Sequence, residues 1–349
     1  MIGIDISDRS IKVVEINGEE NANLRTTGWS PMEPNLVKRG IIQDVAAAQR
    51  VLVEAFKKCS PVPAQDNMAV LSIPESQSFL RVVEIPIMSA GELDEAVQWA
   101  IREHIPFDVD HMYLDWQILE APAISPGHHQ IIVGAAQKAV VDQLLQVADG
   151  VGLQVMALEL ESQALVRSLL PRDARDVAGV LMVDLGATAT NLIFFDQGAM
   201  RFTTSLQRGG DDLTQKLAQE LKLQPSIAAE KKAMIGVQDS AQDAQIAVTL
   251  RAATMQLVQQ ISQIMTEVTT QIQARQGLRA ILLAGGAANL PGIIDIFAEV
   301  FPGVPVQLGN PWINLVVNEH RHNELPLSPA DASHFTTAIG LALRLPQYT

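Results

Sequence analysis

The sequence predicts an α/β protein of two similar lobes, each with a mixed-sheet core, and a small α+β subdomain inserted into the first. Three observations predict it. An apolar hairpin with an Asp before a short polar turn opens the chain at "GIDISDRSIKVVEI" and is echoed near the middle at "VLMVDLGATATNLIFF". Between them, at about 85–160, the order helix, strand, strand, helix breaks the cycle. Near the end, "LLAGGAANLPG" runs strand, paired glycines, helix.

Each element has a local reason. Ile2, Ile4 and Ile6 alternate and a second apolar run, Ile11, Val13, Val14 and Ile16, follows, with Ser7 and Asp8 turning between them, which reads as a β-hairpin. A helix is expected over 45–58 and a strand in "NMAVLSIP". "SAGELDEAVQWAIREHIP" opens with a capping box, Ser89 with Glu92, and places Leu93, Ala96, Val97, Ala100 and Ile101 on one helical face before Pro106. A strand over 113–119, a polar turn, the strand "QIIVGAA" and a helix over 138–149 complete the insert. After the second hairpin, helices are expected over 211–221, 226–234 and 243–274. In the last, Leu257, Ile261, Ile264, Val268 and Ile272 recur at helical steps and Gly277 lies beyond the end. A strand over 280–284, a helix over 291–301, a strand over 304–308 and a helix over 332–343 close the chain.

Composition narrows the function. The 349 residues are 48% hydrophobic, enough for a sizeable core in more than one lobe. With 39 acidic against 25 basic residues the net charge is -14, which repels phosphate backbones and anionic lipid and argues against general nucleic-acid binding. Cys59 is the only cysteine, so there is no internal disulfide and no cysteine-rich zinc site. Neither a signal peptide nor a run of apolar residues long enough to span a bilayer is evident, so a cytoplasmic protein without direct membrane insertion is expected. His128, His129, His320 and His322 lie in expected loops without metal-site spacing.

Three loops carry chemistry. "DISDRS" offers backbone N–H groups and hydroxyls to phosphate oxygens, with Asp5 within reach of a water-bridged Mg2+ and Lys12 on the next strand. "VDLGATATNL" repeats the device with Asp184, Gly186, Thr188 and Thr190. Gly285 and Gly286 leave room for a flat ring or a phosphate against the backbone. Neither GxGxxG after the first strand nor GxxxxGK[ST] occurs, which excludes a Rossmann or Walker site.

Together these loops resemble the two phosphate motifs and the adenosine motif of the actin-like ATPase superfamily. "GIDISDRSIKVVEI", "ELDEAVQWAIREHIPFDVDHMYLDW", "LQRGGDDLTQKLAQEL", "AAEKKAMIG" and "LPLSPADASHFTTAIGLALR" are similar to the PilM family of type IV pilus assembly proteins, related to FtsA, over essentially the whole chain. The resemblance implies a first lobe over 1–84, an insert over 85–160 and an inter-lobe connection over 161–175. It continues with a second lobe over 176–325, its helical subdomain at about 205–275, and a C-terminal helix over 326–349 that returns to the first lobe.

The resemblance also implies ATP and Mg2+ as cofactors. Phosphate contacts would come from Ser7, Asp8, Arg9, Ser10, Lys12, Gly186, Thr188 and Thr190. Asp5 and Asp184 would hold Mg2+ through water. Gly209 and Gly210 would lie by the sugar, Glu230 and Lys232 at the adenine or ribose, and Gly285, Gly286 and Ala287 under the base. Glu159 or Glu161, with Glu161 the nominated residue, would position a water, alongside Asp184. Ser7, Asp8 and Ala189 depart from the small residues and glycine common in the family. The implied partner is the cytoplasmic N-terminal segment of a PilN-like inner-membrane protein, held in a groove with walls from Leu93, Val97, Trp99 and Phe107. PilO and the pilus motor ATPases would be reached indirectly, and self-association is allowed. The chain ends without the amphipathic membrane helix of FtsA, so it is expected to sit at the inner membrane through its partner. An FtsA-like filament former and a small-molecule kinase are the alternatives.

Overall fold

The alternating apolar runs assemble into two main sheets in the computed structural model, which describes residues 1–18, 22–104, 108–119, 126–238, 243–271, 277–316 and 327–344. In the first lobe, β1 (Ile2–Ile6) and β2 (Ser10–Asn17) form the expected hairpin, with β3 (Asn23–Pro31) antiparallel beyond it. A two-residue hairpin follows, β4 (Val37–Lys38) and β5 (Ile41–Ile42), then α1 (Val45–Lys57), capped by the Asp44 carboxylate, and β6 (Met68–Ile73), parallel to β1.

The insert consists of β7 (Ser78–Pro86), α2 (Ala90–His104), β8 (Met112–Ile118) and β9 (His128–Gln137). At the start of α2 the Glu92 carboxylate accepts from both the Ser89 N–H, at 3.2 Å, and the Ser89 hydroxyl, at 2.6 Å. Val83, Ile85, Val97, Ala100, Ile131 and Val133 fill a small core of its own.

The expected boundaries of 85–160 shift here. β7 starts earlier, and its alternation was hidden by the charges of Arg81 and Glu84. The next two elements, α3 (Lys138–Asp149) and β10 (Gln154–Leu160), belong to the first lobe. There Val140, Val141 and Leu144 join the core under α1, and β10 pairs parallel with β6. Amphipathic spacing identifies a helix but not which core receives its apolar face. The first-lobe sheet therefore has the order β10-β6-β1-β2-β3.

α4 (Glu161–Leu169) packs on the first lobe, and the chain then enters the second: β11 (Val180–Leu185), β12 (Thr190–Asp196), β13 (Ala199–Leu206), α5 (Gly210–Leu221), α6 (Pro225–Ile235), α7 (Ala244–Gln271), β14 (Ala280–Ala284), α8 (Ile293–Val300) and β15 (Val306–Leu308). Phe194, Leu250, Val258, Ile261 and Phe297 are central to its core. Its sheet does not stop at β13. That strand meets β7 at a single register position, Phe202 opposite Arg81, giving one eight-stranded sheet of order β15-β14-β11-β12-β13-β7-β9-β8.

The short α9 (Pro329–Ala332) leads to α10 (Thr336–Ala342), which crosses back onto β1 and α4. Two glycines permit this approach. A Cβ on Gly3 would lie 2.1 Å from the Ala338 carbonyl oxygen, and one on Gly340 would lie 1.9 Å from that of Ala164.

Candidate functional site

The β1–β2 register sets Asp5 opposite Lys12, and their side chains form a buried ion pair, Nζ to Oδ2 2.7 Å. The Ser72 hydroxyl donates to the other Asp5 oxygen at 3.3 Å. In the turn, both the N–H and the hydroxyl of Ser7 donate to the Ser10 carbonyl at 3.0 Å, so the Ser7 side chain is spent on closing the loop. Asp8 is also committed internally. Its carboxylate accepts from the backbone N–H groups of Arg39 and Gly40, each at 2.9 Å, and from the Thr188 hydroxyl of the second lobe at 3.0 Å. Arg9 pairs across the cleft with Asp211, Nε to Oδ2 2.7 Å.

The second loop mirrors the first. Asp184, next to last in β11, lies opposite Asn191, and the Gly186 N–H closes the turn on the Ala189 carbonyl at 2.9 Å. α5 docks on this turn through the N–H groups of Gly210 and Asp211, which donate to the Gly186 and Ala187 carbonyls at 2.9 and 2.8 Å. A Cβ on Gly209 would meet the Ala187 oxygen at 2.5 Å, so that glycine serves close packing.

Besides Gly209, which does not line the cleft, two expected ligand contacts are placed elsewhere. Thr190 is fully buried and its hydroxyl donates to the Arg208 carbonyl at 2.7 Å. Glu230 is exposed and outside the cleft, whereas Lys232, two residues on and therefore on the other side of α6, lines it and donates to the Gly210 carbonyl at 2.6 Å. Burial holds the Lys232 ammonium below its ordinary pKa.

The third loop closes the floor. Gly285 has φ +81°, and a Cβ there would lie 2.4 Å from Asp184 Oδ1. Gly286 faces the His334 ring, 2.6 Å from an added Cβ. Burial, with Lys12 nearby, pushes the His334 pKa down.

These segments enclose a cleft of 580 Å³ lined by both lobes. Asp5, Asp8, Arg9, Ser10, Lys12, Glu161, Asp184, Gly186, Thr188, Gly210, Lys232, Gly285, Gly286 and Ala287 all face it, as does Ser7. Its acidic end is crowded. Glu161 accepts from the Asn191 amide at 2.9 Å and the Glu75 N–H at 3.3 Å, and desolvation followed by the charges of Asp5 and Asp184 raises its carboxyl well above the usual range. Desolvation, then Asp5, pushes Asp184 up to about 6. The open pair resolves in favour of Glu161 as the cleft residue. Glu159 is buried on the far side, gripped by Arg167 at 2.6 Å and by Arg344.

Among the described residues, no group of three or more His, Cys, Asp or Glu side chains could hold a metal ion. Two carboxylates at one end of the cleft, Asp5 and Asp184, fit the outer shell of a cation bound mostly by water.

The residues nominated for a partner groove separate. Val97 is fully buried in the insert core and Leu93 packs against it, whereas Trp99 is 67% exposed. Phe107 lies outside the described residues.

Three polar residues stand out among the cleft residues that sequence reasoning missed. Asn191 follows directly from the β11–β12 register, in which it opposes Asp184. Arg39 sits on the two-residue hairpin loop, and His334 arrives from the C-terminal segment, where nothing in the local sequence points to the cleft.

Residues 3–345 match the family described as type IV pilus assembly protein PilM. The chain belongs to that family. Membership gives it a role in type IV pilus assembly. It is also similar to the cell division protein FtsA of Streptococcus pneumoniae, 25% identical over 88% of this chain and 74% of that protein. Among solved structures, a PilM-PilN type IV pilus biogenesis complex covers 98% of this chain and 97% of its own at 24% identity, with a TM-score of 0.84. MreB 5 of Spiroplasma citri bound to AMPPNP covers 90% and 92% at 14% identity, with a TM-score of 0.54. The fold of this PilM family member is the two-lobed actin-like ATPase fold. No helix among the described residues is long and apolar enough to cross a membrane.

Proposed function

We propose that this PilM family member is a cytoplasmic nucleotide-binding adaptor. It takes Mg-ATP in the inter-lobe cleft and binds the N-terminal cytoplasmic segment of a PilN-like inner-membrane protein. The observation that carries the nucleotide reading is the convergence of three loops on one cleft: Asp5 and Lys12 from the first lobe, Asp184 and Gly186 from the second, and the Gly285–Gly286 turn between them. AMPPNP in the MreB 5 neighbour and PilN in the PilM-PilN neighbour support the two halves of the proposal.

In this reading Lys12 and the turn N–H groups not spent on closing the loops meet the phosphates, and the base lies against the backbone of Gly285, Gly286 and Ala287 beside Lys232. Mg2+ would shield phosphate charge, with Asp5 and Asp184 holding its water shell. Glu161, whose carboxyl is raised well above the usual range by burial and then by the charges of Asp5 and Asp184, is the residue placed to position an attacking water, with at most slow hydrolysis. Nucleotide state would govern how the insert presents its surface to the partner. PilO and the motor ATPases would be reached through that partner.

Calorimetric titration with Mg-AMPPNP, then with a PilN N-terminal peptide, tests both halves. Nucleotide binding lost in Lys12→Ala, and peptide binding lost in Trp99→Ala, are the expected results. Absence of nucleotide binding to the unaltered protein sinks the cleft reading. An FtsA-like filament former is the second reading, favoured by the FtsA similarity. Nucleotide-dependent sedimentation without peptide binding would select it.

A further inference from the structure

Asp8 stands in the first phosphate turn, yet its carboxylate faces three donors from three segments: the N–H groups of Arg39 and Gly40 and the hydroxyl of Thr188. A carboxylate that already accepts three hydrogen bonds is a strut rather than a ligand contact. Its partners differ in kind. Thr188 belongs to the second lobe, whereas Arg39 and Gly40 form the loop of the β4–β5 hairpin in the first lobe.

That hairpin is firmly seated. Arg39 and Gly40 have φ of 50° and 78°, the positive values a two-residue hairpin loop requires. The Arg39 carbonyl accepts from the Ser76 hydroxyl at 3.0 Å and the Gln77 amide at 2.8 Å, immediately before β7 of the insert. On its other side the Ile42 carbonyl accepts from the Gln143 amide of α3 at 3.0 Å. The neighbouring residue on α3, Asp142, accepts from the Tyr113 hydroxyl of β8 at 3.1 Å, and Lys138 at the start of α3 lies 5.7 Å from the Tyr113 ring centroid while donating to the Asp110 carbonyl at 2.8 Å. Hydrogen bonds therefore run from the second-lobe phosphate turn, through Asp8 and the hairpin, into the insert by two branches.

We infer that Asp8 and the β4–β5 hairpin form a relay that reports the state of the phosphate turns to the insert. The inference rests on the proposed nucleotide reading of the cleft. A phosphate that engages Thr188 competes with Asp8 for its hydroxyl and leaves the carboxylate held by the Arg39 and Gly40 N–H groups alone, free to move with the hairpin. The hairpin then shifts against Gln77 and Gln143, and β7, α3 and β8 respond. The alternative route is the direct β13–β7 pairing, which bypasses the hairpin altogether.

Hydrogen exchange of the full chain with and without Mg-AMPPNP separates the two. In the unaltered protein, nucleotide is expected to change protection at Arg39 and Gly40 and in β7, α3 and β8. Asp8→Ala should still bind nucleotide but confine the change to the phosphate turns. The triple variant Ser76→Ala, Gln77→Ala and Gln143→Ala removes every side-chain bond described from the hairpin toward the insert and leaves both phosphate turns intact; it should keep the hairpin response and lose that of the insert, and it decides the matter if Asp8→Ala does not fold. An insert response that survives in the triple variant overturns the relay in favour of the sheet route. Nucleotide binding to the unaltered protein with no response in the hairpin also overturns it, whereas no binding at all removes the cleft reading and the relay together.

Discussion

Replacing Asp184 with Asn should make the protein more stable relative to the unaltered chain as pH rises. The carboxyl is moved from its ordinary value near 3.9 up to about 6 by desolvation and by Asp5. Because the folded state holds this proton more tightly than the unfolded chain, stability falls as pH rises from about 4 to about 6 and the loss is complete above that. A shift of about two units corresponds to about 3 kcal/mol, of which about 1.5 kcal/mol is already lost at about pH 5. The stability gap between Asp184→Asn and the unaltered protein should therefore widen by about 1.4 kcal/mol between about pH 5 and about pH 8. Asp184 also raises Glu161, so its neutralisation relieves a second group and makes this figure a lower bound. Urea denaturation across that range, with Mg2+ and nucleotide absent, measures the gap. A gap that stays constant or narrows refutes the crowded-carboxylate account, and loss of Mg-dependent nucleotide binding in the same variant would tie the electrostatic penalty to function.

Lys12→Ala leaves Asp5 buried without its partner and should cost about 3–5 kcal/mol in urea denaturation; a loss under about 1 kcal/mol would contradict the buried pair. The Arg9–Asp211 pair is half exposed on both sides, so a double-mutant cycle should give a coupling below about 1 kcal/mol, although Arg9→Ala is expected to weaken nucleotide binding in calorimetry. Gly285→Ala places a Cβ against Asp184 at a left-handed position; it should lower stability by about 1–2 kcal/mol and abolish nucleotide binding, and wild-type affinity would disprove the close-floor geometry. Trp99→Ala should leave thermal stability within about 0.5 kcal/mol while Val97→Ala costs about 2 kcal/mol, a contrast that scanning calorimetry resolves.

The features legible in the sequence were those with a short-range cause. Alternation gave the β1–β2 hairpin, and the hairpin in turn brought Asp5 opposite Lys12. Helical spacing placed α3 and α5 to within a residue of their observed bounds. What escaped was decided over long distances. β7 carries Arg81 and Glu84 amid its apolar residues, and its strand character is completed by pairing with β9. Thr190 looked like a ligand hydroxyl because the turn resembles a phosphate loop, but the Arg208 carbonyl claims it. Asp8 was read for its position in the loop, while its carboxylate answers to a hairpin about thirty residues on and to the other lobe. A side chain with several donors in range cannot be assigned from neighbours in sequence alone.

The pairing of β13 with β7 has a mechanical side. The insert is tied covalently to the first lobe, at the start of β7 and the end of β9, yet its sheet is an extension of the second. With one register position at the join, the seam between Phe202 and Arg81 is the weakest line across eight strands, and bending there breaks few ladder hydrogen bonds. The insert is thus held by both lobes, and a rotation of one against the other would bend the sheet at this seam. A small rotation at the cleft sweeps a larger arc at β8, the far edge of the sheet, so a modest rearrangement around a bound ligand would be magnified where an outside protein could feel it.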